Sequence, residues 1–199
     1  MATFMDFGVG TFLGVVVAHA TGVDIPLWYL PLTGILALVP DLDIAFKLLR
    51  TRTIADGENH HESLMHRPIL MVPAVSIALW VICGSYWGIV GLLCLTWHYI
   101  HDSLLGIGGF PLFWPVSCKY LSWRGLHEPS FMHHEEWTER YWRIPSYLAV
   151  WEVSIGSLAL AAAITMQTGL LLLGIAIFCT FFLGAWIVWL MHGILRVIR

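Results

Sequence analysis

"GIVGLLCLTWHYIHDSLLGIGGFPLFWP", residues 88–115, begins as an almost uninterrupted apolar run and then places His98, His101 and Asp102 near its middle. The run reads as a membrane segment over about 86–106. On a helix those three residues occupy i, i+3 and i+4, one face, with neighbouring Cβ atoms about 5–6 Å apart. Ionisable groups at membrane depth persist only where they face protein or a water-filled cavity, so this segment predicts a helix bundle with a polar pocket inside.

The rest of the chain fits that frame. It has 199 residues, 58% of them hydrophobic and 12% charged, with a mean hydropathy of +0.77, against roughly 25% charged residues in an ordinary soluble domain. The composition is that of an integral membrane protein. Net charge is −3 and the basic residues form no run that would follow a phosphate backbone, which excludes nucleic acid as a partner class. The four cysteines, Cys83, Cys94, Cys118 and Cys179, form no CxxC pair. They indicate neither disulfides nor a thiolate zinc site. The opening MATFMDFGVGTFLGVVVAHATG has no basic start, and is read as a retained membrane segment.

Apolar stretches at about 7–22, 27–40, 68–84, 86–106, 145–166 and 169–195 predict an all-α, polytopic transmembrane helix bundle of about six segments, forming one integral membrane domain over 1–199. Loops at about 41–67 and 107–144 separate them. With six crossings, Lys47, Arg50, Arg52, Arg67, Lys119, Arg124, Arg140, Arg143, Arg196 and Arg199 all fall on one side, which the positive-inside rule makes the cytoplasm. The second segment is short and broken: from Leu27 to Pro40 it covers about 14 residues, roughly 21 Å of helix against a hydrocarbon core of ~30 Å. Pro40, Asp41 and Asp43 should then lie below the head groups, at a level that His19 and His98 also reach, in a pocket open to the cytoplasm.

Asp41 and Asp43 can share a direction if the chain beyond Pro40 is a strand or turn, as in carboxylate metal loops. His61 and His66 enter the third segment on the same side. Each residue has an ordinary alternative: His19 as an interhelical hydrogen-bond donor, His192 as an interfacial residue, Asp41 or Asp43 as a helix cap or a partner of Arg67. The eleven tryptophans and six tyrosines supply an aromatic belt. Taken together, the imidazoles and carboxylates at one membrane level indicate a divalent-metal site. Ligands of this kind without cysteine suit zinc, with manganese and iron as alternatives, in one to three ions. Asp102, one turn from His98, is the natural bridge between two ions.

At these residues a resemblance appears. An early histidine, Pro-Asp-Leu-Asp at 40–43, His-x4-His at 61–66, and His-x3-Asp at 98–102 followed by GFPLFWP resemble the family of predicted membrane-bound metal-dependent hydrolases. The likeness runs from His19 to Pro115, and departs from the family's middle element at Glu62, Met65 and Arg67. The order His, Asp, His, His-x3-Asp is also distantly similar to the zinc-dependent phospholipase C and single-strand nuclease group. That resemblance implies His19, Asp41 or Asp43, His66, His98 and Asp102 as metal ligands, with His61 from the first family. His127, His133, His134, Glu135 and Glu136 are candidates for a lid over the site.

The expected function is therefore a membrane-embedded metal-dependent hydrolase, a phosphoesterase acting on a lipid or lipid-linked substrate at the cytoplasmic face of the inner membrane. Arg67 would bind a phosphate oxygen, and Asp43 or His101 would act as general base where not used as a ligand. Two alternatives belong beside it. HYIH at 98–101 and HH at 133–134 suggest a membrane di-iron oxidase of the desaturase or hydroxylase type, and intramembrane His and Asp also build metal-ion transport pathways.

Overall fold

The computed structural model describes residues 2–51, 63–104, 109–122, 125–127 and 147–198. Among these, seven α-helices, one 3-10 turn and one small hairpin divide into two compact units: Met1–Gly34 with Glu135–Arg199, and Ile35–His134.

In the first unit, α1 (Ala2–Thr21) packs on α6 (Tyr147–Thr168), and α6 on α7 (Leu171–Ile198). Small residues decide the first of these crossings. A Cβ on Gly8 would run into the Gly156 carbonyl, and one on Gly156 would stand 2.7 Å from the Phe4 oxygen and 2.9 Å from the Met5 Cα. Two backbones approach this closely only where neither carries a side chain. At the other end the Gln167 Nε2 donates to the Ile25 carbonyl at 2.7 Å, so α1 and α6 run in the same direction. The chain then reverses at Gly169 into α7, where Phe181 returns to meet Phe4 with ring centroids 4.8 Å apart.

The second unit begins where α2 (Tyr29–Leu36) ends. Pro40 cannot continue a helix, and the chain descends through successive short-range bonds, Leu38 N–H to Ile35, Val39 to Leu36 and Asp41 to Leu38, before re-forming as α3 (Leu42–Thr51). The 3-10 turn Leu64–His66 leads into α4 (Pro68–Cys83), which starts on a proline at its first position, where the missing N–H costs nothing. Gly84 alone joins it to α5 (Ser85–Leu104), which packs back along it. Strands β1 (Tyr120–Ser122) and β2 (Gly125–His127) pair antiparallel with Leu121 opposite Leu126, and Phe110 bridges to Leu121 from outside the hairpin. Gly109 allows that bridge: its φ is +65°, and any side chain there would strike the Leu121 carbonyl. Leu95, Tyr99 and Phe110 form the buried centre of the unit, with Val39, Met71, Val72 and Leu121 around it.

Mostly helical architecture is as expected, but the number of membrane segments is not. Three described helices, over Phe4–Thr21, Val150–Thr168 and Leu171–Met191, are long and apolar enough to cross a bilayer, rather than about six. Hydropathy counts apolar residues, whereas crossing needs unbroken helix. The stretch at 27–40 yields an eight-residue helix. That at 68–84 yields 16 residues, about 24 Å of helix against ~30 Å of hydrocarbon. The stretch at 86–106 is a full helix whose last turns hold His98, His101 and Asp102. Two further departures are α3, inside the stretch read as loop, and the hairpin, in a fold read as all-α. In α3 the apolar side chains Leu42, Phe46 and Leu49 recur at helical spacing and are exposed.

Candidate metal centre

Two histidines build the site, and each is held by its Nδ1. His98 lies in α5 with its side chain 1% exposed, and its Nδ1 stands 2.9 Å from the Ala37 carbonyl. A carbonyl only accepts, so Nδ1 carries the proton, and in the neutral ring Nε2 then presents a lone pair. His66 is fully buried at the end of the 3-10 turn, and its Nδ1 lies 3.2 Å from Asp43 Oδ2, which also accepts the Ser63 hydroxyl. A carboxylate opposite Nδ1 fixes the same tautomer. The turn carrying His66 is itself tied to α5 through the Tyr99 hydroxyl, which donates to the Met65 carbonyl at 2.6 Å.

Both Nε2 atoms then face the same pair of carboxylates. His66 Nε2 is 3.8 Å from Asp41 Oδ1 and 3.8 Å from Asp102 Oδ2; His98 Nε2 is 3.7 Å and 3.4 Å from the same two atoms. Ligand atoms of Asp41, His66 and His98 all lie within 4.8 Å of one another. These separations exceed the ~2.7–2.9 Å of a charge-assisted hydrogen bond. They are close to the roughly 3.3–3.6 Å between co-ligands on a tetrahedral ion with bonds of about 2.0–2.2 Å. Two imidazole lone pairs and two carboxylates converging on one point create negative potential that a divalent cation satisfies. The donor set fits zinc, and manganese or iron as well.

Asp41 reaches this point because it immediately precedes α3, accepting the Ile44 N–H at 3.1 Å, while Asp43 lies in the first turn. The stretch 37–41 is the turn that a shared direction requires, and the helix begins at Leu42, between the two carboxylates. Both carboxylates reach the His66 ring, Asp43 at Nδ1 and Asp41 on the Nε2 side. Arg67, next in the chain, stacks its guanidinium over Trp114 at 5.2 Å from the ring centroid. His101 is buried with its ring stacked on Trp97, centroids 6.2 Å apart. His19 is exposed at the end of α1, in the first unit. His61, His133, His134, Glu135 and Glu136 lie outside the described residues; His127 sits in β2 opposite Tyr120, and His192 lies within α7.

The sequence alone does not disclose the partners that hold the two histidines: Ser63, Tyr99 and the carbonyls of Ala37 and Met65. Ser63, three residues before His66 at the start of a tight turn, left a weak signal. Backbone carbonyls leave none.

Comparison with curated proteins and with solved structures found no match. A family model described as YdjM inner membrane protein matches residues 1–193, and with apolar helices of spanning length beside that match, the chain belongs to the YdjM inner membrane protein family and is an integral inner-membrane protein.

Proposed function

We propose that this protein is a membrane-embedded, metal-dependent hydrolase that cleaves phosphoesters of a lipid or lipid-linked substrate at the cytoplasmic face. The observation that carries the reading is the convergence of His66 Nε2 and His98 Nε2 on the same two carboxylates, Asp41 and Asp102, with the four imidazole–carboxylate separations between 3.4 and 3.8 Å. The resemblance of the motif order to metal-dependent hydrolases and zinc phospholipases supports the reaction class. A bound divalent ion supplies Lewis-acid chemistry at a phosphoester.

The chain's own residues divide the remaining work. His66 and His98 hold the ion through Nε2, and Asp41 and Asp102 offset its charge. Arg67 adjoins a ligand in sequence, and its planar guanidinium, already oriented by the Trp114 ring, offers a fork for phosphate oxygens. Asp41, Asp43 and Asp102 keep 22%, 13% and 15% of their side chains accessible, which leaves the site open on its carboxylate side while both imidazoles are closed off. A substrate whose tail stays in lipid while its head group enters from that side suits this arrangement.

The test is to purify the full chain in detergent, measure its metals, and assay lipid phosphoesters with wild type and Asp102→Ala. Loss of both metal and phosphate release in the variant supports the hydrolase. Metal loss in the variant beside a wild type that binds metal but hydrolyses no lipid phosphoester overturns the reaction class. In that case, iron with oxygen uptake would identify an oxidase, and metal flux in liposomes a transporter.

A further inference from the structure

We propose that Asp43 is a positioning residue for His66: it accepts a hydrogen bond from Nδ1–H, fixes the ring's orientation and strengthens Nε2 as a metal ligand, without itself touching the ion. The proposal rests on the metal reading above and adds a division of labour that the sequence does not disclose.

Three observations carry it. Asp43 Oδ2 lies 3.2 Å from Nδ1, on the far side of the ring from the Nε2 that faces Asp41 and Asp102. The same oxygen accepts the Ser63 hydroxyl, and Ser63 Oγ stands 3.4 Å from Nδ1, so Asp43, Ser63 and His66 form one closed triangle. Finally, the other histidine shows the same design with a different acceptor, His98 Nδ1 lying 2.9 Å from the Ala37 carbonyl. Metal-bound histidines as a rule pass their second N–H to a carboxylate or carbonyl, which orients the ring and raises its basicity. A full negative charge does this more strongly than a carbonyl dipole. His66 is accordingly the stronger donor of the two, and its strength depends on a side chain that mutation can remove.

Cobalt(II) titration of the full chain in nanodiscs tests the assignment, following the ligand-field absorption and the affinity together. Asp43→Asn should bind as many ions as wild type, with affinity weakened about 10- to 100-fold, the span measured for outer partners of metal ligands, and with a shifted ligand-field band. Asp43→Glu should recover part of both. Ser63→Ala, which keeps the carboxylate, should weaken binding several-fold and guards against a fold defect in the Asp43 variants. Unchanged affinity and spectrum in folded Asp43→Asn would overturn the assignment alone. So would the loss of a whole ion equivalent, since that identifies a ligand. Absence of saturable cobalt binding by the wild type would overturn the metal reading and this proposal with it.

Discussion

Asp41 and Asp43 stand on opposite sides of one imidazole, the first 3.8 Å from Nε2 of His66 and the second 3.2 Å from its Nδ1. The roles proposed for these two carboxylates differ accordingly, and substitution should separate them. Asp41→Asn removes a donor charge from the convergence point itself. Its zinc affinity, read by competition with a chromophoric chelator, should fall by more than the ~10–100-fold expected of an outer partner. Equal losses in Asp41→Asn and Asp43→Asn would contradict the assignment of sides.

Removing the ion should also be visible in stability. A ligand that binds only the folded state stabilises it by about 2.7 kcal/mol at a hundredfold excess over its dissociation constant. Chelation should therefore lower the thermal midpoint of the detergent-solubilised wild type, and zinc should restore it. His98→Ala should show neither response. Its midpoint should lie low at the outset, because the substitution also strips the Ala37 carbonyl of its donor, a loss of about 1–3 kcal/mol for a buried group.

Tyr99 acts at one remove. Its hydroxyl holds the Met65 carbonyl at 2.6 Å, one residue before His66. Tyr99→Phe keeps the ring that packs on Phe110 but releases the turn, at a cost of roughly 0.5–1.5 kcal/mol for one hydrogen bond. Metal affinity should weaken several-fold while helix content, read by circular dichroism, stays at the wild-type level.

Arg67 offers a split between binding and metal retention. Arg67→Lys keeps the charge but loses the planar fork and the stacking on Trp114. Hydrolysis of a lipid phosphoester should show a raised KM with metal content unchanged, and Arg67→Ala should show the larger effect. A variant that lost its metal instead would reassign Arg67 to holding the site together.

How much of this was legible beforehand follows from the physics of each segment. His98 and Asp102 were readable because four residues on a helix is one turn, and α5 is an unbroken helix there. Asp41 was readable because a proline precedes it. The separate role proposed for Asp43 was not, since it depends on whether the chain after Pro40 extends or coils. It coils into α3, where Leu42, Phe46 and Leu49 recur at helical spacing, a pattern interrupted by the charged residues between them. The number of crossings was misjudged for a related reason: apolar content and unbroken helix length are different quantities, and Pro40 and the polar end of α5 separate them.

The α1–α6 crossing can be tested independently of the metal. A methyl group on Gly8 would meet the Gly156 carbonyl, and backbone that close cannot yield without the helices moving apart. Gly8→Val should therefore destabilise the protein by about 1–3 kcal/mol or more, as overpacking does. Gly184 in α7 has nothing within 4 Å of its would-be Cβ. Gly184→Ala should stay within about 1 kcal/mol of wild type, on the stabilising side, because it adds helix propensity without a clash. Thermal midpoints of the two variants in one detergent decide the matter, and equal midpoints would mean that α1 and α6 do not cross at Gly8 and Gly156.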